Sequence, residues 1–352
     1  MFSSTHVLTF FQSLLLDAQR TDLRLSDLDD VAFASPSFFT RLAHPNLHPY
    51  LPSTSSSSSS SSSSAGPSLN EVLDIHAAAK ECQNEMHPEA SWNMLVHQRI
   101  LALAVPHCWE EDGGPVHFLP CTTAKIHPVF RRGLGPGSAA NKMVDFAIYI
   151  EPSTFGPGTV TAIDTLRRHL PDASINHTDF APLRRRPIAL SIESKTTGHQ
   201  LLEAEVQVGV WLAAQWRMLE GLGPFSQEHN TAVTTAAVEA VAEAAAAAAA
   251  ASAATAAATI TTAAVAGDDS MSPLPPFLPA IIIQGHEWHF LATTRDSKGI
   301  TTLWAKQTFG SSETVLGIYQ VVCVLRYLAQ WVGQEYWPCV RGLARLDQSM
   351  SP

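Results

Sequence analysis

Cysteine is scarce in this chain and never paired. The five thiols (Cys82, Cys108, Cys121, Cys323, Cys339) are scattered, with no CxxC and no zinc-ribbon spacing. That excludes a disulfide framework and a cysteine-built metal module, and an odd, dispersed set fits reduced thiols in an intracellular protein, nuclear or cytoplasmic. A basic n-region is missing, and the apolar run Val7–Leu16 is short and broken by polar residues, so a signal peptide is not expected. Membrane-length apolar runs are missing too, apart from an alanine tract too weakly hydrophobic to span, so no membrane partner is expected. Net positive charge is also lacking: 22 Lys+Arg against 32 Asp+Glu leave −10, which gives no global attraction to nucleic acid. The balance is uneven, however. Residues 85–220 hold 12 Lys+Arg and 14 Asp+Glu, including Arg131-Arg132, Arg167-Arg168 and Arg184-Arg185-Arg186.

At 352 residues the chain has room for one large or two small domains around a sizeable core. Residues 1–50 read as an N-terminal extension with one or two short helices. Ser55–Ser64 has no side chain able to build a core, so 51–68 is a flexible linker. Residues 69–340 form the functional domain, followed by a tail, 341–352. That domain is interrupted by an Ala-rich insertion, 228–272, which offers nothing to pack.

Within the domain, Ser68 or Asn70 caps a helix through Val72, Ile75 and Ala79. His87-Pro88 breaks it. A second helix from Glu89 carries Trp92, Leu95, Val96, Ile100 and Leu103 along one side. Strand-like pieces follow at Val116–Thr122 and Lys125–Phe130, then a Gly/Pro-rich turn at 133–137. The segment 152–186 is a long excursion with a short helix near Thr161–Leu170. A strong helix spans Leu201–Leu219. Leu278–Leu291 reads as one apolar strand, paired in a hairpin with Gly299–Lys306 across the Asp296–Gly299 turn. The last helix, Glu313–Val332, is apolar nearly all round, as a buried helix is.

Two stretches carry the chemistry. Pro187-Ile-Ala-Leu-Ser-Ile-Glu-Ser-Lys195 alternates with the two-residue period of a strand. Ile188, Leu190 and Ile192 take one face; Ala189, Ser191, Glu193 and Lys195 take the other. Upstream, Met143-Val-Asp-Phe-Ala-Ile-Tyr-Ile150 places Asp145 among apolar neighbours. If these strands pair, Asp145, Glu193 and Lys195 converge. Two carboxylates about 5 Å apart repel by roughly 3 kcal/mol at an effective dielectric near 20. One must then take a proton, or a cation must sit between them. With no His/Cys pair beside them, Mg²⁺ or Mn²⁺ fits best, and Lys195 is placed to orient water and steady developing negative charge. Glu-x-Lys alone is weakly specific and occurs as a solvated pair on many strands. What strengthens it is the order of elements: helix, strand with Asp, strand with Glu-x-Lys, helix.

The chain resembles the PD-(D/E)XK nuclease superfamily, and within it the fungal nuclease-like branch. The words that carry this are Glu89-Ala-Ser-Trp-Asn93, Val144-Asp-Phe-Ala-Ile-Tyr149, Ile175-Asn-His-Thr-Asp179, Glu193-Ser-Lys195 with the strand before it, and Glu205-Val-Gln-Val-Gly-Val-Trp211. Gln284-Gly-His-Glu-Trp288 and Gly317-Ile-Tyr319 continue it. The resemblance implies an α/β fold with a restriction-endonuclease-like αβββαβ core, a mixed sheet flanked by helices, ending in a hairpin and a buried helix. It implies Asp145 and Glu193 as metal ligands, the Ser194 carbonyl as a further ligand, and Lys195 as the catalytic lysine. Glu89 either matches the additional acid many members place near the metal or is a helix N-terminal acid favoured by the macrodipole. Val144 stands where a proline often precedes the aspartate, and the gap from Asp145 to Glu193 is long for a compact nuclease.

Around this core, Gln207 either buttresses the site or contacts nucleic acid, and Trp211, one turn on, reads as core. Arg184, Arg185, Arg186 and His177 are candidates for substrate contact, a solvated basic loop being the plainer meaning of the arginines. His286 and His289 do not make a zinc pair, because i and i+3 fall on opposite faces of a strand. The expected function is metal-dependent hydrolysis of phosphodiester bonds in nucleic acid, DNA before RNA. The alternative is a catalytically inactive module of the same fold that binds nucleic acid or a protein partner.

Overall fold

Strand β3 (Ile188–Lys195) is buried on both faces except at its last residue, and the rest of the sheet is laid out around it. The structure is a computed structural model and describes residues 66–105, 114–131, 144–196, 201–222 and 274–346. The expected N-terminal extension, most of the serine linker, the 133–137 turn and the alanine-rich insertion lie outside those residues. Six described strands form one sheet in the order β1-β2-β3-β4-β5-β6. They are β1 (Val116–Pro120), β2 (Phe146–Ile150), β3, β4 (Leu278–Gln284), β5 (Glu287–Arg295) and β6 (Thr301–Ser311). Every neighbouring pair is antiparallel except β3 and β4, which run parallel. Parallel neighbours need a crossover rather than a hairpin, and the connection here carries helix α4 (201–222).

Helix α1 (Leu69–Asn84) starts where the sequence signals it. The Ser68 hydroxyl accepts from the Glu71 amide, and the Glu71 carboxylate accepts from the Ser68 amide, a reciprocal capping box. Val72, Ile75, Ala79 and Cys82 form its buried side. Pro88 opens α2 (89–104), a helix with one π turn at Asn93–His97. That turn takes in an extra residue and shifts the helix phase. Trp92, Val96 and Ile100 are buried as expected, but Leu95 is 40% exposed and Met94 70%. Leu101, off the expected stripe, is buried instead.

Two further expectations are corrected. Leu278–Leu291 is two strands, not one: Gly285 takes a φ of +58° and folds the run into a tight turn between β4 and β5. Apolar residues on both sides hide that turn from a pattern search. Lys125–Phe130 is not a strand; it makes one bridge, Ile126 with Thr178, before Pro128–Arg131 winds into a 3₁₀ turn. Proline cannot donate to a ladder, which ends strand pairing there. The hairpin across Asp296–Gly299 stands, joining β5 to β6. So does the excursion 152–186, which carries α3 (Pro157–Arg167) and no strand.

The last helix, α5 (Val315–Leu343), is longer than its pattern suggested and includes a π turn at Val332–Tyr336. By length and composition it could cross a membrane, but Val321, Leu325 and Leu328 are fully buried inside the domain. The order α2, β1, β2, β3, α4, β4 gives the expected αβββαβ core of a mixed sheet flanked by helices.

Candidate active site

The polar face of β3 is matched to one stripe of α4. Four helix residues advance about 6 Å and two strand residues about 6.6 Å, so the two ladders stay nearly in step. Trp211 donates from Nε1 to the Ser191 hydroxyl at 2.9 Å, and one turn earlier Gln207 donates from Nε2 to Glu193 Oε1 at 2.8 Å. Gln215, a turn later, donates to the Ile188 carbonyl at 2.8 Å. This lattice holds Glu193 in place, only 2% exposed. Gln207 therefore buttresses the site, and Trp211 is core, with no surface exposed.

Lys195, two residues on and on the same face, hydrogen-bonds to that same Oε1 of Glu193. Its ammonium also lies 3.6 Å from Glu89 Oε2 at the head of α2. Asp145, just before β2, is latched from the edge of β3. The Ser194 amide and the Ser194 hydroxyl both donate to its Oδ2, at 2.8 and 2.9 Å. Oδ1 accepts no hydrogen bond from a described residue. Asp145, Glu193, Lys195, Glu89 and Gln207 line one cleft of about 600 Å³, with Asn93, Met94, Gln98 and Thr122 on its walls.

The electrostatics follow from the crowding. Burial, then the charge of Asp145, push Glu193 up to about 8 despite Lys195 beside it. Burial and Asp145 also raise Glu89. Burial alone would depress the Lys195 ammonium, but Glu193, Glu89 and Asp145 together carry it above its ordinary value. The cleft thus holds more negative charge than its lysine neutralises, and a carboxylate that prefers a proton. That is the state a divalent cation relieves.

The donors fit a hard cation. All are oxygens, from carboxylates. Cys121 stands next to Asp145, but burial pushes its thiol far up, so it offers no thiolate. Among the described residues no group of three His, Cys, Asp or Glu side chains is closed tightly enough to cage an ion alone. Two carboxylates with backbone oxygen and water suit Mg²⁺, which keeps several waters.

Four expected substrate contacts are not at this cleft. Arg184, Arg185 and Arg186 precede the other end of β3, and Arg186 is about 23 Å of strand away from Glu193. There they serve structure: Arg185 pairs with Asp164 at 2.8 Å, Arg186 with Glu151 at 2.7 Å, and Arg184 donates to the Asp179 carbonyl. His177 is fully buried, edge-on to Trp211 with ring centroids 4.5 Å apart, out of reach of any ligand. Sequence proximity to β3 misled there, because the excursion returns to the strand's start rather than its end. His286 and His289 bond instead to the hydroxyls of Ser312 and Thr308. Conversely, the Ser194 latch and the Asn93 wall were not foreseen. Asn93 follows Glu89 by four residues, a spacing that puts both on one side of a helix.

No curated protein and no solved structure matches the chain. A family model described as the PD-(D/E)XK nuclease superfamily matches residues 41–337, well over half of the chain. With a mixed sheet in the αβββαβ order and Asp145, Glu193 and Lys195 in one cleft, the chain belongs to the PD-(D/E)XK nuclease superfamily.

Proposed function

We propose that the chain is a metal-dependent nuclease that hydrolyses phosphodiester bonds, with DNA the preferred substrate. The observation that carries this reading is the convergence of Asp145, Glu193, Glu89 and Lys195 on one cleft, with Glu193 pushed up to about 8 by burial and by Asp145. Asp145 and Glu193 would hold Mg²⁺ or Mn²⁺, with the Ser194 carbonyl and Glu89 completing the oxygen set. When bound, such a cation polarises a phosphoryl oxygen and makes water a better nucleophile near neutral pH.

The chain's own residues do the rest. Lys195 orients the attacking water and places positive charge where negative charge develops. Ser194 fixes one oxygen of Asp145, leaving the other for the cleft. Gln207 holds Glu193 in one rotamer, so its carboxylate does not swing out of line. The reading is tested by calorimetry: the wild-type chain binds Mn²⁺, and Asp145→Ala loses that binding while remaining folded. Equal Mn²⁺ binding by both would remove the cation from this site.

A further inference from the structure

One imidazole joins the two walls of the cleft. Glu89 and Asn93 stand on α2, and Lys195 ends β3. The Lys195 carbonyl accepts from the Gly285 amide at 2.8 Å, which pins the strand end to the β4–β5 turn. The Gly285 carbonyl lies 3.4 Å from His97 Nε2, and His97 Nδ1 lies 2.9 Å from the side-chain amide of Asn93. The path from Lys195 to Asn93 therefore runs Lys195, Gly285, His97, Asn93.

His97 is 1% exposed. It lies between two indoles, stacked on Trp92 with centroids 5.7 Å apart and edge-on to Trp288 at 5.8 Å. Burial holds its ring neutral, drawing it down to about 4, although the Gly285 carbonyl works the other way. A neutral imidazole has one N–H, and a backbone carbonyl can only accept. Gly285 is buried, so its carbonyl needs that donor, and the proton belongs on Nε2. Nδ1 is then an acceptor. With Asn93 Oδ1 turned to the ring, as the 2.9 Å contact has it, Nδ1 would face a second acceptor. The ends of a side-chain amide are assigned by their hydrogen bonds, and exchanging them would bring NH₂ to the ring and turn the oxygen away from it.

We propose that His97 is a positioning residue that ties α2 to the strand end bearing Lys195. By accepting from Asn93, it aims the Asn93 side-chain oxygen into the cleft as an acceptor for water around the cation. The Asn93 half of this rests on the cation reading given above; the His97 half does not.

The test has two parts on the full chain. ¹⁵N-detected NMR of the metal-free protein reads the His97 tautomer without any substitution. Nε2–H is expected, and Nδ1–H overturns the assignment. Calorimetry with Mn²⁺ then compares wild type with His97→Gln, His97→Leu and Asn93→Ala, each checked for folding by its melting transition. Gln keeps a donor for Gly285 and is expected to stay within about threefold of wild type. His97→Leu and Asn93→Ala weaken Mn²⁺ binding about tenfold, as loss of outer-shell support does. Asn93→Ala at wild-type affinity overturns the proposal even if His97→Leu fails to fold. Absence of Mn²⁺ binding by the wild type overturns the cation reading and the Asn93 role together, and the tautomer tells that failure apart from a failed His97 assignment.

Discussion

Glu193 is where the forces on single residues are most opposed. Its carboxylate is buried and crowded by Asp145, and it is held by both Lys195 and Gln207. Removing the Gln207 donor leaves the carboxylate without one of its two anchors. Gln207→Leu is therefore expected to weaken Mn²⁺ binding about tenfold while leaving the melting temperature close to wild type, read by calorimetry and thermal denaturation. His177 poses the opposite problem, a buried base rather than a buried acid. It has no hydrogen-bond partner on either ring nitrogen among the described residues, and burial draws it down to about 3. The unfolded chain takes up that proton near pH 6.5, so between about 6.5 and 3 the unfolded state binds more protons and stability falls as pH falls. The contribution is complete above pH 6.5 and costs up to about 1.4 kcal/mol per pH unit below it. Urea titrations between pH 7 and 5 should show His177→Phe losing that share of the wild-type slope, to which His97 adds with the same sign and Glu193 with the opposite one.

At the scale of elements, the contact between α5 and β6 depends on two missing side chains. A Cβ on Gly317 would lie 2.1 Å from the Ser311 carbonyl oxygen, and one on Gly310 would lie 2.6 Å from Val321. The first obstacle is backbone and cannot swing aside. Gly317→Ala is expected to destabilise by about 3 kcal/mol, measured by urea unfolding. Strands were legible wherever one face was apolar and the other was not, as in β3, where Ile188, Leu190 and Ile192 alternate with Ser191, Glu193 and Lys195. Ser68 announced the start of α1. Pattern failed where a local backbone event left no mark on polarity. The π turn at Asn93–His97 rotated Leu95 out to solvent, and the Gly285 turn split a run of apolar residues. Glu193 and Lys195 were legible from the two-residue period of one strand, and Asp145 joined them on the expectation that its strand pairs with theirs, as β2 does with β3. The fates of His177 and Arg184–Arg186 depended on the path of a 35-residue excursion, which no local rule sets.

The whole molecule carries a net charge of −10, and Lys195 is the one Lys or Arg side chain among the described residues lining the cleft. A substrate held there has few of its phosphates neutralised by the cleft. Binding of a catalytically dead variant such as Lys195→Met to oligonucleotide should fall gently with salt, with a log–log slope no steeper than about −3. A slope near −6 would place a basic surface elsewhere on the chain.

In the proposed hydrolysis Asp145, Glu193 and Lys195 act together on a phosphodiester. That joint action is tested most directly by one comparison: cleavage of single- and double-stranded DNA and RNA by metal-stripped protein after addition of Mg²⁺ or Mn²⁺, for wild type beside Glu193→Gln and Lys195→Ala. Cation-dependent cleavage by wild type is expected, DNA above RNA, with a loss of at least about a hundredfold in each variant. Equal rates in all three proteins, or no cleavage of any substrate with either cation, would contradict it.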